Sequence, residues 1–374
     1  MRVGILTSSR ADFGIYLPLL KALNEDDFFD VQIIAFGTHL SPYHGYTLNQ
    51  IESEGFEVKY KVDSMLAGDT AGAIASAIGL TAIKFASFWE EHSTEFDAVF
   101  CLGDRYEMFA AVSSGVPFQI KFIHLHGGEK TLGAIDNVFR HGISHASTIH
   151  FSSTDIYVER LRNMLDETSD IYNIGAMSLD NLKQIQLLSK EEFTKKWGVN
   201  FNIPTILVTF HPETVNSTQN ADYARELVKV ITTYSDYQFL ITMPNADTAG
   251  SVIRHIFIEA LTKLTNVFMI ENLGTQSYFS AMRHCLFLMG NTSSGIIEAA
   301  SFEKYVINLG NRQEGRASGA NVFNVPIDFV CIGNIFNEIL KNSEFKGGNI
   351  YYKDNSSGKA IEILKQIQIR EYAN

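Results

Sequence analysis

Short apolar runs alternate with segments of helical period from one end of the chain to the other. In the first half these runs are residues 3–7, 31–36, 98–102, 122–125 and 148–151. The second half repeats them at 206–210, 239–243, 267–270, 285–289 and 306–309. Runs of this length flanked by turn residues read as buried strands. The stretches between them, such as 17–23 and 223–232, place apolar residues at helical spacing. Strand and helix in regular alternation predict an α/β protein with parallel sheets covered by helices on both faces. No internal repeat or low-complexity tract interrupts the pattern. It breaks near 174–177, and polar helices then lead to a new strand series from Thr205. Two doubly wound domains are therefore expected, 1–175 and 176–355, with a cleft between them. Ligands of such sheets bind beyond the carboxyl ends of strands, so polar residues just after a strand are the ones to weigh.

A length of 374 residues suits two domains. Apolar content of 45% and charged content of 19% fit a packed globular protein. The net charge of -12 argues against nucleic acid as a partner, since that role needs a basic face. An anionic small ligand stays open, because a few arginines can dominate a local field. Cys101, Cys285 and Cys331 are widely spaced and form no metal-type pair. Cys101 and Cys285 lie in apolar runs and read as reduced core thiols of a reducing compartment. The apolar run after Arg2 is too short for a signal peptide. Residues 70–89 are weakly polar and rich in Ala and Gly, but carry Lys84. A core or subunit-interface helix is the better reading there than a membrane span. The expectation is a cytoplasmic protein with no membrane partner.

The polar clusters sharpen the picture. His124-Leu125-His126-Gly127-Gly128-Glu129 follows a strand, and Ala134-Ile135-Asp136 comes shortly after. Glu129 and Asp136, near Asp104 of another strand exit, can divide acid and base roles. Gly127 and Gly128 let backbone approach a ligand. His124, His126, His141, His145 and His150 make the region histidine-rich. No compact metal motif completes the set, so structural histidines and no metal are expected. Ser8-Ser9-Arg10-Ala11-Asp12-Phe13-Gly14 suits an anion at a helix start, with Arg10 as the grip, although a plain helix cap has the same composition. The absence of G-x-G-x-x-G argues against an ordinary dinucleotide site. Asp104-Arg105 is either a functional pair or a salt-bridged helix start.

In the second half, His211 of Thr209-Phe210-His211-Pro212-Glu213-Thr214 is either a phosphate donor or a turn residue. Gly290-Asn291-Thr292-Ser293-Ser294-Gly295 joins a strand to a helix. Ser293 and Ser294 there form an anion cradle, and Glu298, one turn inside, can accept from ribose hydroxyls. Arg312 of Asn311-Arg312-Gln313-Glu314-Gly315-Arg316 follows another strand. Carboxylates plus Arg10 in one half, and a phosphate cradle with His211 and Arg312 in the other, suggest a nucleoside-diphosphate sugar.

The set S-S-R-A-D-F-G, G-D-R, H-G-G-E with G-A-I-D, R-H, T-F-H-P-E-T, G-N-T-S-S-G-x-x-E and N-L-G-x-R-Q-x-G-R spans roughly the first 325 residues. It resembles the UDP-N-acetylglucosamine 2-epimerases, and most closely their hydrolysing branch. The resemblance implies a GT-B architecture whose last helix, 356–374, packs back on the first domain. It implies removal of the C2 proton, expulsion of UDP and a 2-acetamidoglucal intermediate. Water, as co-substrate, then adds to give N-acetylmannosamine for sialic acid biosynthesis, with no cofactor. It assigns UDP to Arg10, Arg105, His211, Ser293, Ser294, Glu298 and Arg312, with Tyr278 or Phe279 stacking on uracil. It assigns proton transfer and water activation to Asp104, Glu129 and Asp136, leaving open which acid performs which step. Many relatives carry an acid where this chain has His126, so either Glu129 takes that duty or His126 joins the relay. Close relatives act on a UDP-2,4-diacetamido-trideoxyhexose for legionaminic acid, which is the alternative substrate. A homodimer or homotetramer is implied, with 70–89 suited to the interface. Three further readings are a non-hydrolysing epimerase, a GT-B glycosyltransferase, which gives no reason for acids at both 129 and 136, and a catalytically silent UDP-sugar-binding protein.

Overall fold

The computed structural model describes residues 1–373 except 43–44, 67, 69, 133–134, 166–169, 214–216, 245–247 and 343. The motif residues Gly133, Ala134 and Thr214 lie outside the described residues. The chain forms two compact units. The first is Met1–Glu129, Ile135–Lys183 and Lys353–Asn374; the second is Lys130–Ala134 and Gln184–Tyr352. The division falls after Lys183, rather than near 175, for a local reason. Helix Ser178–Gln184 stays with the first unit through Asp180, whose carboxylate accepts from the backbone N–H of Ser356 (3.2 Å) and of Ser357 (2.7 Å). Asn181 adds a bond to the Gly14 carbonyl at 2.8 Å.

The first sheet contains β1 (Arg2–Thr7), β2 (Asp30–Phe36), β3 (Tyr60–Val62), β4 (Ala98–Leu102), β5 (Phe122–Leu125), β6 (Ile149–Ser152) and β7 (Asp170–Asn173). All pair in parallel in the order β3-β2-β1-β4-β5-β6-β7. The second contains β8 (Thr205–Thr209), β9 (Gln238–Thr242), β10 (Val267–Ile270), β11 (Leu288–Gly290), β12 (Val306–Leu309) and β13 (Val322–Val325). These are also parallel, in the order β10-β9-β8-β11-β12-β13. Strand order reverses between β1 and β4 in one sheet and between β8 and β11 in the other. Those reversal points are where ligands of doubly wound sheets bind.

The strand expected at 285–289 is shifted. Cys285 ends helix Gly274–His284, Leu286 is 43% exposed, and ladder pairing with β8 and β12 begins only at Leu288. The short outer strands β3, β7 and β13 are additions that the apolar pattern does not predict.

Burial explains the layering. On one face of the first sheet, Val3, Ile5, Phe100 and Ile123 pack with Tyr16, Leu19 and Leu23 of helix Arg10–Asn24. Ala360, Ile361 and Leu364 of helix Ser356–Ala373 join the same cluster. On the other face, Leu6, Ile34, Val99 and Phe122 meet Phe85, Phe88 and Trp89 of helix Ala71–His92. Each such side chain contributes about 1.5–3 kcal/mol by burial. Along its length, helix Ala71–His92 buries only Ala77, Thr81, Phe85, Phe88 and Trp89. It is long and apolar enough to cross a membrane by length and composition, yet 22% of its most apolar window is buried within the chain, and Ile83 is 68% exposed.

Candidate active site

In the first unit, the residues singled out after β1, β4 and β5 sit at adjacent strand exits. Ser9 caps helix Arg10–Asn24, and Arg10, in its first turn, is exposed. Below it lies an acid given no role from sequence. Asp12 is buried and accepts from the Ser8 hydroxyl (2.6 Å) and the Ser8 backbone N–H (3.0 Å). Burial pushes its carboxyl up, against the opposing pull of Arg105 and of those hydrogen bonds. Arg105, at the β4 exit, donates to the buried Glu107 at 2.7 Å. Burial alone would lower the guanidinium, but Glu107 and Asp12 hold it above its ordinary value. It therefore ties the β1 and β4 loops together as well as facing outward.

Asp104, one residue earlier, is ion-paired with Arg140, a buried residue of helix Asp136–His145. Asp136 opens that helix and Arg140 lies one turn on, so both project from one face. Burial and the nearby Asp104 carboxylate push the Asp136 carboxyl above the usual range, while Arg140 and Arg105 oppose the rise. A carboxyl whose proton is held more tightly than usual is suited to the acid role. The motifs assign Arg140 no role, although its spacing from Asp136 carries the signal.

Glu129 and His126 form a second cluster at the β5 exit. His126 Nδ1 donates to Glu129 Oε1 at 2.7 Å, and the Ser153 hydroxyl donates to the same oxygen at 2.9 Å. Both acid and histidine are largely buried, at 4% and 12% side-chain exposure. Behind them, His124 Nε2 lies 2.9 Å from the Gly103 carbonyl, so it donates there, and Nδ1 then accepts from Ser144 at 3.0 Å. Burial lowers His124 to about 3, which keeps it neutral. Burial likewise holds His150 at about 4. Among the described residues no group of three or more His, Cys, Asp or Glu side chains could hold a metal ion.

The second unit is organised around Asn291, a motif residue to which the sequence assigned no role. Gly290, at the end of β11, has φ +146 and presses against β8: a Cβ there would lie 1.9 Å from the Thr209 carbonyl oxygen. This brings Asn291 alongside His211. Its side chain accepts from the His211 N–H (2.7 Å) and donates to the His211 carbonyl (2.8 Å). Its own carbonyl accepts from Arg312 (3.1 Å) and Gln313 (2.9 Å). His211 and Arg312 are thus positioned by one buried amide. Burial, then Arg312, lowers His211 to about 4, so it acts as a neutral ring. Glu213 orders the neighbouring loop by accepting from the Asn311 N–H at 2.7 Å. Replacing Asn291 by alanine orphans two His211 backbone groups. It should cost about 2–4 kcal/mol in urea unfolding. A loss below about 0.5 kcal/mol would show that the amide is dispensable.

Ser293 and Ser294 open a short helix, Ser293–Ile297, capped by Thr292. Glu298 is its C-terminal cap rather than an interior residue, because the helix tightens at once into a 3-10 turn over Ala299–Phe302. Tyr278 comes from helix Gly274–His284 and lies with its hydroxyl 3.3 Å from Thr209 Oγ1. Burial pushes that phenol up to about 12; hydrogen bonds to Thr209 and Ser294 oppose the rise and the Glu298 charge adds to it. Phe279 is buried against Phe302, with ring centroids 5.9 Å apart, and is taken up by packing. The first unit thus offers paired acid–base groups, and the second offers amides, hydroxyls and a guanidinium.

Residues 21–365 match the family described as UDP-N-acetylglucosamine 2-epimerase. A Campylobacter jejuni protein named GDP/UDP-N,N'-diacetylbacillosamine 2-epimerase (hydrolyzing) is 34% identical, over 92% of this chain and 88% of its own length. The Legionella pneumophila UDP-N,N'-diacetylbacillosamine 2-epimerase (hydrolyzing) is 31% identical over 97% of this chain and 95% of its own. The crystal structure of UDP-GlcNAc 2-epimerase from Neisseria meningitidis, bound to UDP-GlcNAc, superposes with a TM-score of 0.81 at 17% identity, covering 98% of this chain and 100% of that one. The shared fold is of the GT-B type, built from two Rossmann-like α/β units. With the motifs of both units in family order and the match running over nearly its full length, the chain belongs to the UDP-N-acetylglucosamine 2-epimerase family.

Proposed function

We propose that this protein is a hydrolysing 2-epimerase acting on a UDP-2-acetamido sugar. It releases UDP and the free sugar inverted at C2. The observation that carries the reading is the pair of distinct acid–base clusters in the first unit, Asp104–Arg140–Asp136 and His126–Glu129–Ser153. In the first step the His126–Glu129 pair takes the C2 proton. The C2–H electrons form the C1=C2 bond, and the C1–O bond breaks with its electrons leaving on UDP. In the second step water adds its oxygen to C1 and gives up its proton to the Asp104 carboxylate, while Asp136 delivers a proton to the opposite face of C2. Asp104 positions Asp136 and the water, held in turn by Arg140. UDP is bound by Arg10, Arg105, His211, Ser293, Ser294, Glu298 and Arg312, with Tyr278 beside the base. A very weakly acidic C2–H needs base and stabilised leaving group to act together. The enzyme acts in the cytoplasm and needs no cofactor.

For the sugar, the names of the Campylobacter and Legionella relatives favour UDP-N,N'-diacetylbacillosamine. UDP-N-acetylglucosamine, giving N-acetylmannosamine for sialic acid and capsule polysaccharide, is the second reading. It is favoured by a 29% identical Neisseria meningitidis relative named UDP-N-acetylglucosamine 2-epimerase. Proton NMR of parallel incubations with both nucleotide sugars tests the assignment. Free C2-inverted sugar plus UDP is expected, faster from the diacetamido substrate. An epimerised sugar still attached to UDP would refute hydrolysis, and turnover only with an acceptor would point to a glycosyltransferase.

We also propose that helix Ala71–His92 is the contact between two copies in a homodimer, since its apolar surface is largely uncovered in one chain. Ile83→Asp should convert the dimer to a monomer in size-exclusion light scattering. A variant that keeps the mass of the wild type would place the interface elsewhere.

A further inference from the structure

We infer that the atom that removes the C2 proton is His126 Nε2, and that Glu129 is its positioning residue rather than the base itself. The inference rests on the functional reading above and deepens it by assigning the roles within the His126–Glu129 pair. Four features of the loop converge on it. Glu129 Oε1 already receives two hydrogen bonds, from His126 Nδ1 and from the Ser153 hydroxyl. An ionised carboxylate only accepts, so the shared proton sits on Nδ1 and the Nε2 lone pair points away. Among the described residues Nε2 is buried and has no hydrogen-bond partner. A buried polar atom left unpaired in a native fold calls for a function. Finally, His126 adopts φ +62, a left-handed conformation, and Gly128 follows with φ +77. Strained backbone at a non-glycine residue persists where the surroundings impose it, and it gathers at active sites. Here the turn folds Glu129 back onto Nδ1 and fixes the ring. Of the other titratable groups, His124 on β5 lies within electrostatic reach of His126, and Arg140 of helix Asp136–His145 acts on that same His124 ring.

The step balances. Nε2 takes the proton, the imidazolium formed is countered by Glu129, UDP departs with the C1–O electron pair, and the proton then passes to solvent. A structural histidine would show none of this chemistry.

Two measurements test the assignment. The first needs no turnover: long-range proton–nitrogen NMR of the histidine-labelled enzyme, with the His126 signals identified by their loss in His126→Gln. At neutral pH the Nδ1–H tautomer is expected, reverting toward Nε2–H in Glu129→Ala. An Nε2–H tautomer in the wild-type enzyme overturns the proposal. The second is loss of deuterium from the C2-deuterated substrate. His126→Ala should slow it about 10²–10⁴-fold, retain UDP affinity by calorimetry, and recover at least tenfold with added imidazole. Retention of more than a tenth of the wild-type rate, or absence of rescue in a folded variant that binds UDP, would return the base role to Glu129. If the wild-type enzyme releases UDP from neither nucleotide sugar, the functional reading fails, while the tautomer result still decides the geometry of the pair.

Discussion

Gly290→Ala is expected to remove the second unit's binding surface altogether. The alanine Cβ would sit 1.9 Å from the Thr209 carbonyl oxygen and 2.6 Å from its carbon, both backbone atoms in the adjoining strand. No rotamer change relieves a backbone clash. A φ of +146 adds its own penalty for any residue with a side chain. Relief requires prising β11 from β8, which breaks the ladder at Gly290–Thr209 and pulls Asn291 from His211. Such disruption belongs to the exceptional class of single substitutions, above about 4 kcal/mol. The expected outcome is aggregation or a separate low-temperature transition in calorimetry, with no UDP binding. A variant with native melting and UDP affinity would mean that the strand exit is built differently.

Acidification should selectively undo the first unit. His39, His124 and His150 each have 0% exposure, and burial lowers them to about 4, 3 and 4 from an ordinary 6.5. Their folded values are depressed, so the unfolded chain takes up protons first. Stability is fully present above about pH 7 and falls as pH drops from 6.5 toward those folded values. At pH 5.5 each histidine costs about 1.4 kcal/mol, roughly 4 kcal/mol for the three together. Asp12 and Asp136, whose carboxyls are raised by burial, act in the opposite direction: each costs stability while ionised, and that stability is regained as pH falls through its folded value. The second unit carries one comparable ring, His211. Melts recorded between pH 8 and pH 5 should therefore separate into two transitions, the first unit's moving down. A melting profile unchanged between pH 7.5 and 5.5 would contradict neutral buried histidines.

Where the fold is written in continuous apolar runs, it is legible from the amino-acid order alone. β4 and β8, and β1 after its exposed Arg2, are buried along their length and are built mostly from Val, Ile, Leu and other apolar or small residues. The edge strands are not legible in this way. β7, Asp-Ile-Tyr-Asn, is half-buried throughout, and β3 is only three residues long, so neither departs from loop composition. The same contrast holds at the site. Asp104, Glu129 and Asp136 announce themselves as carboxylates after strands. Arg140, Asp12 and Asn291 do not, because their importance lies in the partners that folding gives them. Asp104 is 36 positions from Arg140, and His211 is 80 from Asn291. Pairing of that kind follows from strand order, which periodicity does not encode. Glu298 shows a smaller failure of related origin: its helix closes into a 3-10 turn that local propensity gives no reason to expect.

The clasp between Asp180 and the start of helix Ser356–Ala373 has a consequence for how the protein is made. Ala360, Ile361, Leu364 and Ile367 complete the core that Val3, Ile5 and Tyr16 begin. The first unit to leave the ribosome is thus left with an open apolar flank until the final turns of the chain emerge. The second unit, whose core residues Ile206 to Ile339 are all translated before that helix, can close earlier. A nascent chain stalled before residue 356 would therefore present a second unit with a closed core beside a first unit whose apolar flank is still open.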